Sequence, residues 1–188
     1  GNAVIRPEYR WENQYIRIWS APVWDPDDNL FKLIYYGTAT GSIGTVGREQ
    51  STKLDKSGEV GAGKSFSCYA TSTDGVNWEK PFLGLYDYEE LNWDRTPIGK
   101  NNNILPSFHG AIRGLIYDTR DPDPRRKFKA LAYSKGGLHS LVSADCQNWE
   151  KLDLPPQPSA DVSELYFDED RNIFIATVKH KGPYGRSF

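Results

Sequence analysis

The chain reads S-T-D-G-V-N-W-E-K at residues 72–80 and repeats this phrase as S-A-D-C-Q-N-W-E-K at residues 143–151. Each copy follows a run of alternating apolar and polar residues, 66–71 and 138–142, which is typical of a half-buried β-strand. The Asp of each phrase is predicted to be a turn residue that accepts backbone hydrogen bonds, and the Trp lies on the strand that follows. The repetition indicates that the chain is built from copies of one structural unit.

An acidic hairpin and an aromatic strand precede each copy of this phrase. The runs D-P-D-D-N-L-F-K-L-I-Y-Y-G at 25–37 and D-P-D-P-R-R-K-F-K-A-L-A-Y at 121–133 resemble each other, and D-E-D-R-N-I-F-I-A-T-V at 168–178 begins a third copy. The unit therefore reads strand, acidic hairpin, strand, loop, strand, turn and Trp strand. Four-stranded antiparallel sheets that recur about every 40–50 residues are typical of propeller blades.

This pattern predicts one all-β domain over residues 1–188, a β-propeller of which the chain holds part. Blade 1 is expected at about 11–82, with an insertion at about 38–65, and blade 2 at about 101–152. Blade 3 begins at about 160, so we expect about two and a half blades, whereas a closed propeller needs about four or more.

Composition excludes several classes of partner. The formal net charge of −2, with both signs interspersed, argues against nucleic acid and anionic membranes. No apolar run reaches the roughly 18 residues of a membrane span. Cys68 and Cys146 do not make a disulfide framework. Aromatic residues make up 13% of the chain, including six Trp; most should pack between blades, and the rest could form a floor on which sugars stack.

One sequence motif matches a nucleotide-binding pattern without the structural context that the pattern needs. Residues 58–65 read G-E-V-G-A-G-K-S and match the phosphate-loop pattern letter for letter. That loop works between a buried strand and a helix, whose N-terminus binds the phosphates. A polar segment precedes this one and a strand is predicted after it, so we do not expect nucleotide binding.

Five segments together resemble the five-bladed propeller glycoside hydrolases, the broad group that includes arabinanases, xylosidases, levansucrases and invertases. They are F-K-L-I-Y-Y-G at 31–37, S-x-D-G-x-x-W-x-x-P at 72–81, N-N-N-I at 101–104, the run at 121–129, and residues 161–167 leading to Gly185 and Arg186. The resemblance covers most of the chain from about residue 6. It implies a secreted or periplasmic five-bladed propeller with a carbohydrate ligand.

The resemblance also implies a site in a central funnel, lined by the first strand of each blade. Glycoside cleavage needs one carboxylic acid to protonate the leaving oxygen and one carboxylate to attack or to activate water. The candidate catalytic residues on the predicted first strands are Glu12, Asp161 and Glu164. The candidate sugar contacts are Arg17, Trp19, Asn102, Asn103, His109 and Arg113.

Two features qualify the catalytic interpretation. Asp161 and Glu164 are three residues apart, so an extended strand turns them to opposite faces unless it bulges. The early Asp of the founding hydrolases is missing from the first strand, and both Asp25-Pro26 and Arg120-Asp121-Pro122 fall in hairpins. The leading prediction is a glycosidase, and the alternatives are a non-catalytic sugar-binding propeller and an interaction platform. Convergence of two carboxylates in one pocket would separate the first two.

No metal or other cofactor is required by the sequence. No cluster of His, Cys and Asp has the spacing of zinc ligands. Carboxylate and carbonyl oxygens in a funnel could hold a calcium ion, although no residue pattern demands one.

Overall fold

A four-stranded antiparallel sheet forms the first part of the molecule. A computed structural model describes residues 3–39, 64–106, 111–134, 137–159, 163–182 and 185–187. The central strand β3 pairs along one edge with β1 and β2 and along the other edge with β4. The bounds are β1 Tyr15–Ile18, β2 Val23–Asp25, β3 Leu30–Ala39 and β4 Lys64–Ser72. A bridge between Thr71 and Glu79 supplies the fourth position of the sheet. We call this sheet unit 1.

A second sheet repeats the arrangement. Its four strands pair in the order of the chain, and they are β7 Ala111–Tyr117, β8 Phe128–Ser134, β9 Gly137–Ser143 and β10 Glu150–Lys151. We call this sheet unit 2. The described residues of both units follow the predicted order of strand, hairpin, strand, strand and turn. The predicted Trp strand is reduced to a single bridge at Glu79 in unit 1 and to β10 in unit 2, and both begin one residue after the tryptophan.

The remaining strands form three two-stranded sheets. Their bounds are β5 Tyr88–Leu91 with β6 Pro97–Gly99, β11 Glu164–Asp168 with β12 Ile173–Thr177, and β13 His180–Gly182 with β14 Gly185–Ser187. The β11–β12 hairpin is the start of the predicted third copy, and we call it unit 3. Apart from 3-10 turns, including Arg10–Glu12 and Pro124–Arg126, the described residues are strands and connections. The all-β prediction is therefore confirmed, and none of the described sheets closes on itself.

The two copies of the opening phrase fold into the same turn. In unit 1 the Asp74 carboxylate accepts hydrogen bonds from the backbone N–H of Val76 and Asn77, at 2.8 and 2.7 Å. In unit 2 the Asp145 carboxylate accepts the corresponding pair from Gln147 and Asn148, at the same two distances. The prediction that both Asp residues are turn residues is confirmed.

An edge-to-face aromatic pair recurs at the hairpin of every unit. The two rings come from residues that lie opposite each other on the first and second strands, and their centroids are 4.9 to 5.1 Å apart. The pairs are Trp24 with Phe31, Tyr117 with Phe128, and Phe167 with Phe174. The β11–β12 hairpin of unit 3 therefore matches the corresponding hairpins of units 1 and 2 in this geometry.

A buried ion pair beside the aromatic pair corrects one detail of the repeat alignment. Lys32 pairs with Asp25 at 2.6 Å, and Lys129 pairs with Asp118 at 2.8 Å. Asp118, rather than the Asp121 suggested by the shared Asp-Pro letters, is thus the structural equivalent of Asp25. The alignment on Asp-Pro fails because unit 2 has a longer hairpin loop, which contains the 3-10 turn Pro124–Arg126.

Neighbouring units dock through a repeated contact. The Lys32 ammonium of unit 1 lies 4.9 Å from the centroid of the Phe128 ring in unit 2. The Lys129 ammonium of unit 2 lies 5.7 Å from the centroid of the Phe174 ring in unit 3. Units 1 and 2 therefore each place a hairpin lysine over the phenylalanine of the next unit, where the ring attracts the cation.

A glycine permits the close approach of units 2 and 3. The ladder between β7 and β8 shifts register between Arg113 and Ile116, and Gly114 in this bulge has φ of +60°. A Cβ at Gly114 would lie 2.5 Å from the backbone nitrogen of Leu165 on β11. Because only glycine avoids both the clash and the left-handed strain, this position sets the distance between two first strands.

Two apolar clusters lie on opposite faces of unit 1. One lies between units 1 and 2 and includes Ile34 and Cys146. The other covers the far face of unit 1 and includes Trp11, Tyr35 and Cys68. Both cysteines are buried and free. No helix in the described part of the chain is long and apolar enough to cross a membrane.

Candidate functional site

Aromatic rings and an arginine cover one side of β1 and β3. Arg17 lies directly opposite Tyr36 in the ladder, so their side chains share a face of the sheet. The Arg17 guanidinium lies 4.5 Å from the centroid of the Tyr15 ring. The Trp19 and Tyr36 ring centroids are 4.6 Å apart. All three rings are half-buried, so each keeps part of its surface open to a ligand.

Unit 2 adds a buried guanidinium to these rings. Arg113 on β7 is only 5% exposed. Its guanidinium carbon lies 4.3 Å from the Trp19 ring centroid and 5.0 Å from the Tyr133 ring centroid. Arg113 therefore lies between an aromatic ring of unit 1 and one of its own unit, an arrangement that favours a desolvated cation by about 2 kcal/mol.

Unit 3 contributes a carboxylate. Glu164 is the first residue of β11, the strand that contacts β7. The Glu164 side chain is exposed, but partial desolvation still raises its pKa, and the positive charge of Arg113 opposes part of that rise. Burial likewise raises the pKa of Tyr36 against the opposing charge of Arg113. The Arg113 charge therefore reaches groups of both neighbouring units.

These side chains from three units form what we call the aromatic–arginine cluster. Its members are Tyr15, Arg17, Trp19, Tyr36, Arg113, Tyr133 and Glu164. Four of them were predicted as site residues from the sequence, namely Arg17, Trp19, Arg113 and Glu164. The three tyrosines were missed. Tyr15 could have been found, because alternation along a strand places it on the same face as Arg17.

The structure places Glu12 elsewhere. The sequence predicted it on the first strand, but it ends the 3-10 turn that precedes β1. The side chain is fully buried. Its carboxylate accepts hydrogen bonds from the Tyr35 hydroxyl, from the Glu8 backbone N–H at 2.8 Å and from the Lys80 ammonium at 2.8 Å. A carboxylate with these partners holds the N-terminal segment against the sheet.

Glu12 and the aromatic–arginine cluster lie on opposite faces of unit 1. The adjacent residues Tyr35 and Tyr36 point to opposite sides of β3, and Glu12 contacts Tyr35 whereas Trp19 contacts Tyr36. The 3-10 turn lies close to the strand at Gly37, where a Cβ would be 3.0 Å from the Trp11 carbonyl oxygen. The sheet therefore separates Glu12 from Glu164.

Asn102 and Asn103 lie on the same far side and are fully buried. Asn103 donates to the Tyr35 hydroxyl at 2.6 Å and to the Tyr69 carbonyl at 2.7 Å, and it accepts from the Trp11 indole N–H at 2.8 Å. Asn102 donates to two backbone carbonyls and accepts from the Ile104 N–H at 3.0 Å. These bonds hold the connection between units 1 and 2 in place.

Some of the predictions fall on residues that the structure leaves undescribed. Asp161 and His109 are both outside the described ranges, as is nearly all of the phosphate-loop motif. The last two residues of that motif begin β4, so a strand lies where a phosphate loop needs a helix. Among the described residues, no group of three or more His, Cys, Asp and Glu is placed to hold a metal ion.

The cluster combines two kinds of contact that suit a polyhydroxylated ring. Half-exposed aromatic faces pack against the C–H faces of sugars, and guanidinium and carboxylate groups bind hydroxyls. Comparisons with protein families, with curated proteins and with solved structures find no match to this chain. The chemistry of the cluster is therefore the basis for a functional proposal.

Proposed function

We propose that the chain binds carbohydrate on the aromatic–arginine cluster. The observation that supports this proposal is that three successive units each contribute to one surface of rings and charged groups. A surface formed by several units offers a larger contact area than the side chains of one unit. An area of that size matches an oligosaccharide better than a single small ion.

We also infer that the units belong to a five-bladed propeller. Units 1 and 2 are both four-stranded antiparallel sheets, and the lysine–phenylalanine contact recurs at both joints. The first strands are also neighbours, because β7 contacts both β2 and β11. First strands that neighbour each other in this way would line a common axis, which favours the propeller arrangement.

Binding without catalysis is the better-supported form of the proposal. The predicted hydrolase needs two carboxylates on one surface. Of the three predicted acids, Glu164 joins the cluster and Glu12 lies behind the sheet. Asp161 lies outside the described residues.

The test is a binding titration with neutral and acidic oligosaccharides, in which calorimetry and tryptophan fluorescence each measure the affinity. Trp19→Ala should weaken binding by about tenfold or more, because a stacking surface is lost. Trp93→Ala is the matched control, since Trp93 is 62% exposed on the β5–β6 hairpin, away from the cluster. Equal affinities of the wild type and the Trp19 variant for every ligand would reject this site.

Glycoside hydrolysis is the second candidate, because Glu164 places a carboxyl group on β11, the strand that contacts β7 and its Arg113. Partial desolvation of this exposed side chain raises its pKa, which is the direction that a general acid requires. Release of reducing ends from a bound oligosaccharide would reveal the activity. Glu164→Gln should then abolish release, and calorimetry should still detect binding, because the amide keeps the shape of the side chain and can still hydrogen-bond to hydroxyls. An oligosaccharide that binds and stays uncleaved over a long incubation would argue against this candidate.

A further inference from the structure

We propose that two copies of this chain associate head to tail, through an apolar surface of unit 3 in one copy and an apolar surface of unit 1 in the other. The tail face is formed by Tyr166, Ile173 and Ile175 of unit 3, and the head face by Trp24 and Phe31 of unit 1. The inference concerns assembly, and it does not depend on the proposed carbohydrate function. It follows from the two joints that the structure already contains.

Both joints have the same direction. Lys32 of unit 1 contacts the Phe128 ring of unit 2, and Lys129 of unit 2 contacts the Phe174 ring of unit 3. Because successive side chains of a strand point to opposite faces, Phe31 lies on the face of unit 1 that points away from Lys32. Each unit therefore docks on the next through the face that carries the lysine position, and it receives the preceding unit on the face that carries the phenylalanine.

The tail face lies at the lysine position of unit 3. Ile175 is 36% exposed, and Ile173 on the same face of the strand is 46% exposed. Tyr166 lies opposite Ile175 in the ladder and is 61% exposed. In unit 1 the residue equivalent to Tyr166 is Val23, which packs against the apolar cluster between units 1 and 2. The tail face is thus an apolar surface at a place that a neighbouring unit covers in unit 1.

The head face lies at the phenylalanine position of unit 1. Trp24 is 42% exposed and Phe31 is half-buried, whereas the equivalent Phe128 of unit 2 is fully buried. The N-terminal segment covers this side of the sheet only further along β3, at Leu33 and Tyr35. In the described part of the chain, no lysine or arginine stacks on the Trp24–Phe31 pair. The head face is therefore open and apolar.

The two faces match each other in chemistry and in direction. Ile175 stands where Lys32 and Lys129 stand in the other units. Docking of the tail face on the head face of a second copy continues the direction of the existing joints and places isoleucine against Phe31. This contact buries apolar surface on both sides and takes no charge out of water. Contact between two different surfaces of one chain is heterologous, so each copy offers one surface of each kind.

The first test is sedimentation equilibrium of the chain from about 1 μM to about 200 μM, which should show association that increases with concentration. Ile175→Glu and Trp24→Glu should each raise the apparent Kd about tenfold or more, because the contact would bury a carboxylate without a partner. Leu154→Glu is the matched control, since Leu154 is 55% exposed beyond β10 and belongs to neither face. A monomer at every concentration, or equal association of all three variants, would overturn the inference.

The second test mixes the two disrupted variants in equal amounts. The intact head face of the Ile175→Glu copy can dock on the intact tail face of the Trp24→Glu copy, so the mixture should form a heterodimer although neither variant associates alone. If Ile175→Glu lost association while Trp24→Glu kept it, two β12 strands would be pairing with each other, and the head-to-tail inference would be wrong. Circular dichroism checks that each variant is folded, and Ile173→Glu or Trp24→Ser replaces one that is not.

Discussion

The turns at Asp74 and Asp145 have the same hydrogen bonds and different surroundings. In each, the tryptophan N–H donates to the backbone carbonyl three residues earlier at 3.2 Å. The left-handed residue is Gly75 in unit 1 and Cys146 in unit 2, with φ of +74° and +66°. Cys146 is fully buried in the cluster between the units, whereas Asp74 and its neighbours are exposed. The local sequence therefore determines the turn, and the neighbouring unit determines its burial.

The largest difference between the two turns is expected at the tryptophans. Trp149 is 7% exposed, whereas Trp78 is half-buried. Trp149→Ala should lower the free energy of unfolding by about 3–5 kcal/mol, and Trp78→Ala by about half as much. Urea denaturation measures both. Each variant loses the same hydrogen bond. Equal decreases in the free energy of unfolding would therefore mean that the difference in burial of the two tryptophans has no effect on stability.

The hairpin lysines should differ next. Lys32 and Asp25 are almost fully buried, so Lys32→Met should cost about 3 kcal/mol by leaving a buried carboxylate poorly paired. Lys129→Met should cost about 1 kcal/mol, because Asp118 and Asp121 retain Arg120 and Arg126. The control is the double variant Asp25→Asn with Lys32→Met, which should recover much of the loss in urea denaturation. A double variant as unstable as Lys32→Met alone would exclude the charge as the cause.

A smaller effect is expected at the left-handed position of unit 1. Gly75→Ala should cost about 1 kcal/mol, since an L-residue with a Cβ is strained at this φ. The nearest atom to the new Cβ would be 3.8 Å away on Phe31, so no clash contributes. Gly75→Asn should cost less, because Asn tolerates the left-handed region. Thermal unfolding measures both variants, and a larger loss for Asn would contradict the strain explanation.

The smallest effect concerns the titration of the two aspartates. Hydrogen bonds from the N–H groups of Asn77 and Val76 hold the pKa of Asp74 well below its ordinary value. Burial raises the pKa of Asp145, but hydrogen bonds led by that from Asn148 outweigh it, and the net direction is again downward. A group with a lowered folded pKa stabilises the protein above its unfolded pKa and loses that contribution as pH falls through the folded pKa.

Carboxyl carbon NMR in acid should therefore show both groups titrating below about 3.9, the ordinary aspartate value. Asp74 should have the lower pKa, because burial opposes the shift less there. If Asp145 had the lower pKa, the packing of the neighbouring unit would have to strengthen the hydrogen bonds of the turn in unit 2 in addition to burying it.

Much of the unit could be predicted from the sequence because its signals are local. Alternation predicted β4 and β9, and the Ser-x-Asp phrase predicted both turns. The mistaken equivalence of Asp25 and Asp121 arose because both precede a proline, and the two sequences were aligned on that Asp-Pro pair. The register of the strands and the ion pair with Lys129 identify Asp118 as the true equivalent of Asp25.

The candidate site was harder to predict, because it depends on contacts between units. Arg17 and Trp19 were chosen for their residue type on a first strand, and the structure brings them together with Arg113. Glu12 was chosen in the same way, but its segment forms a 3-10 turn and its carboxylate is used by Tyr35 and Lys80. A charged residue beside a strand gives no local signal of which face it will occupy.

The two joints between the units also differ in their polar and aromatic contacts, which distinguishes one joint from the other. Asp27 of unit 1 pairs with Lys127 of unit 2 at 2.8 Å, whereas Arg120 of unit 2 stacks on Phe167 of unit 3. Ile175 stands in unit 3 where Lys32 and Lys129 stand in the others. Direct docking of unit 1 on unit 3 would lose both the ion pair and the stack, so we expect these contacts to disfavour docking of similar repeats in the wrong order, a common route to misfolding in repeat proteins.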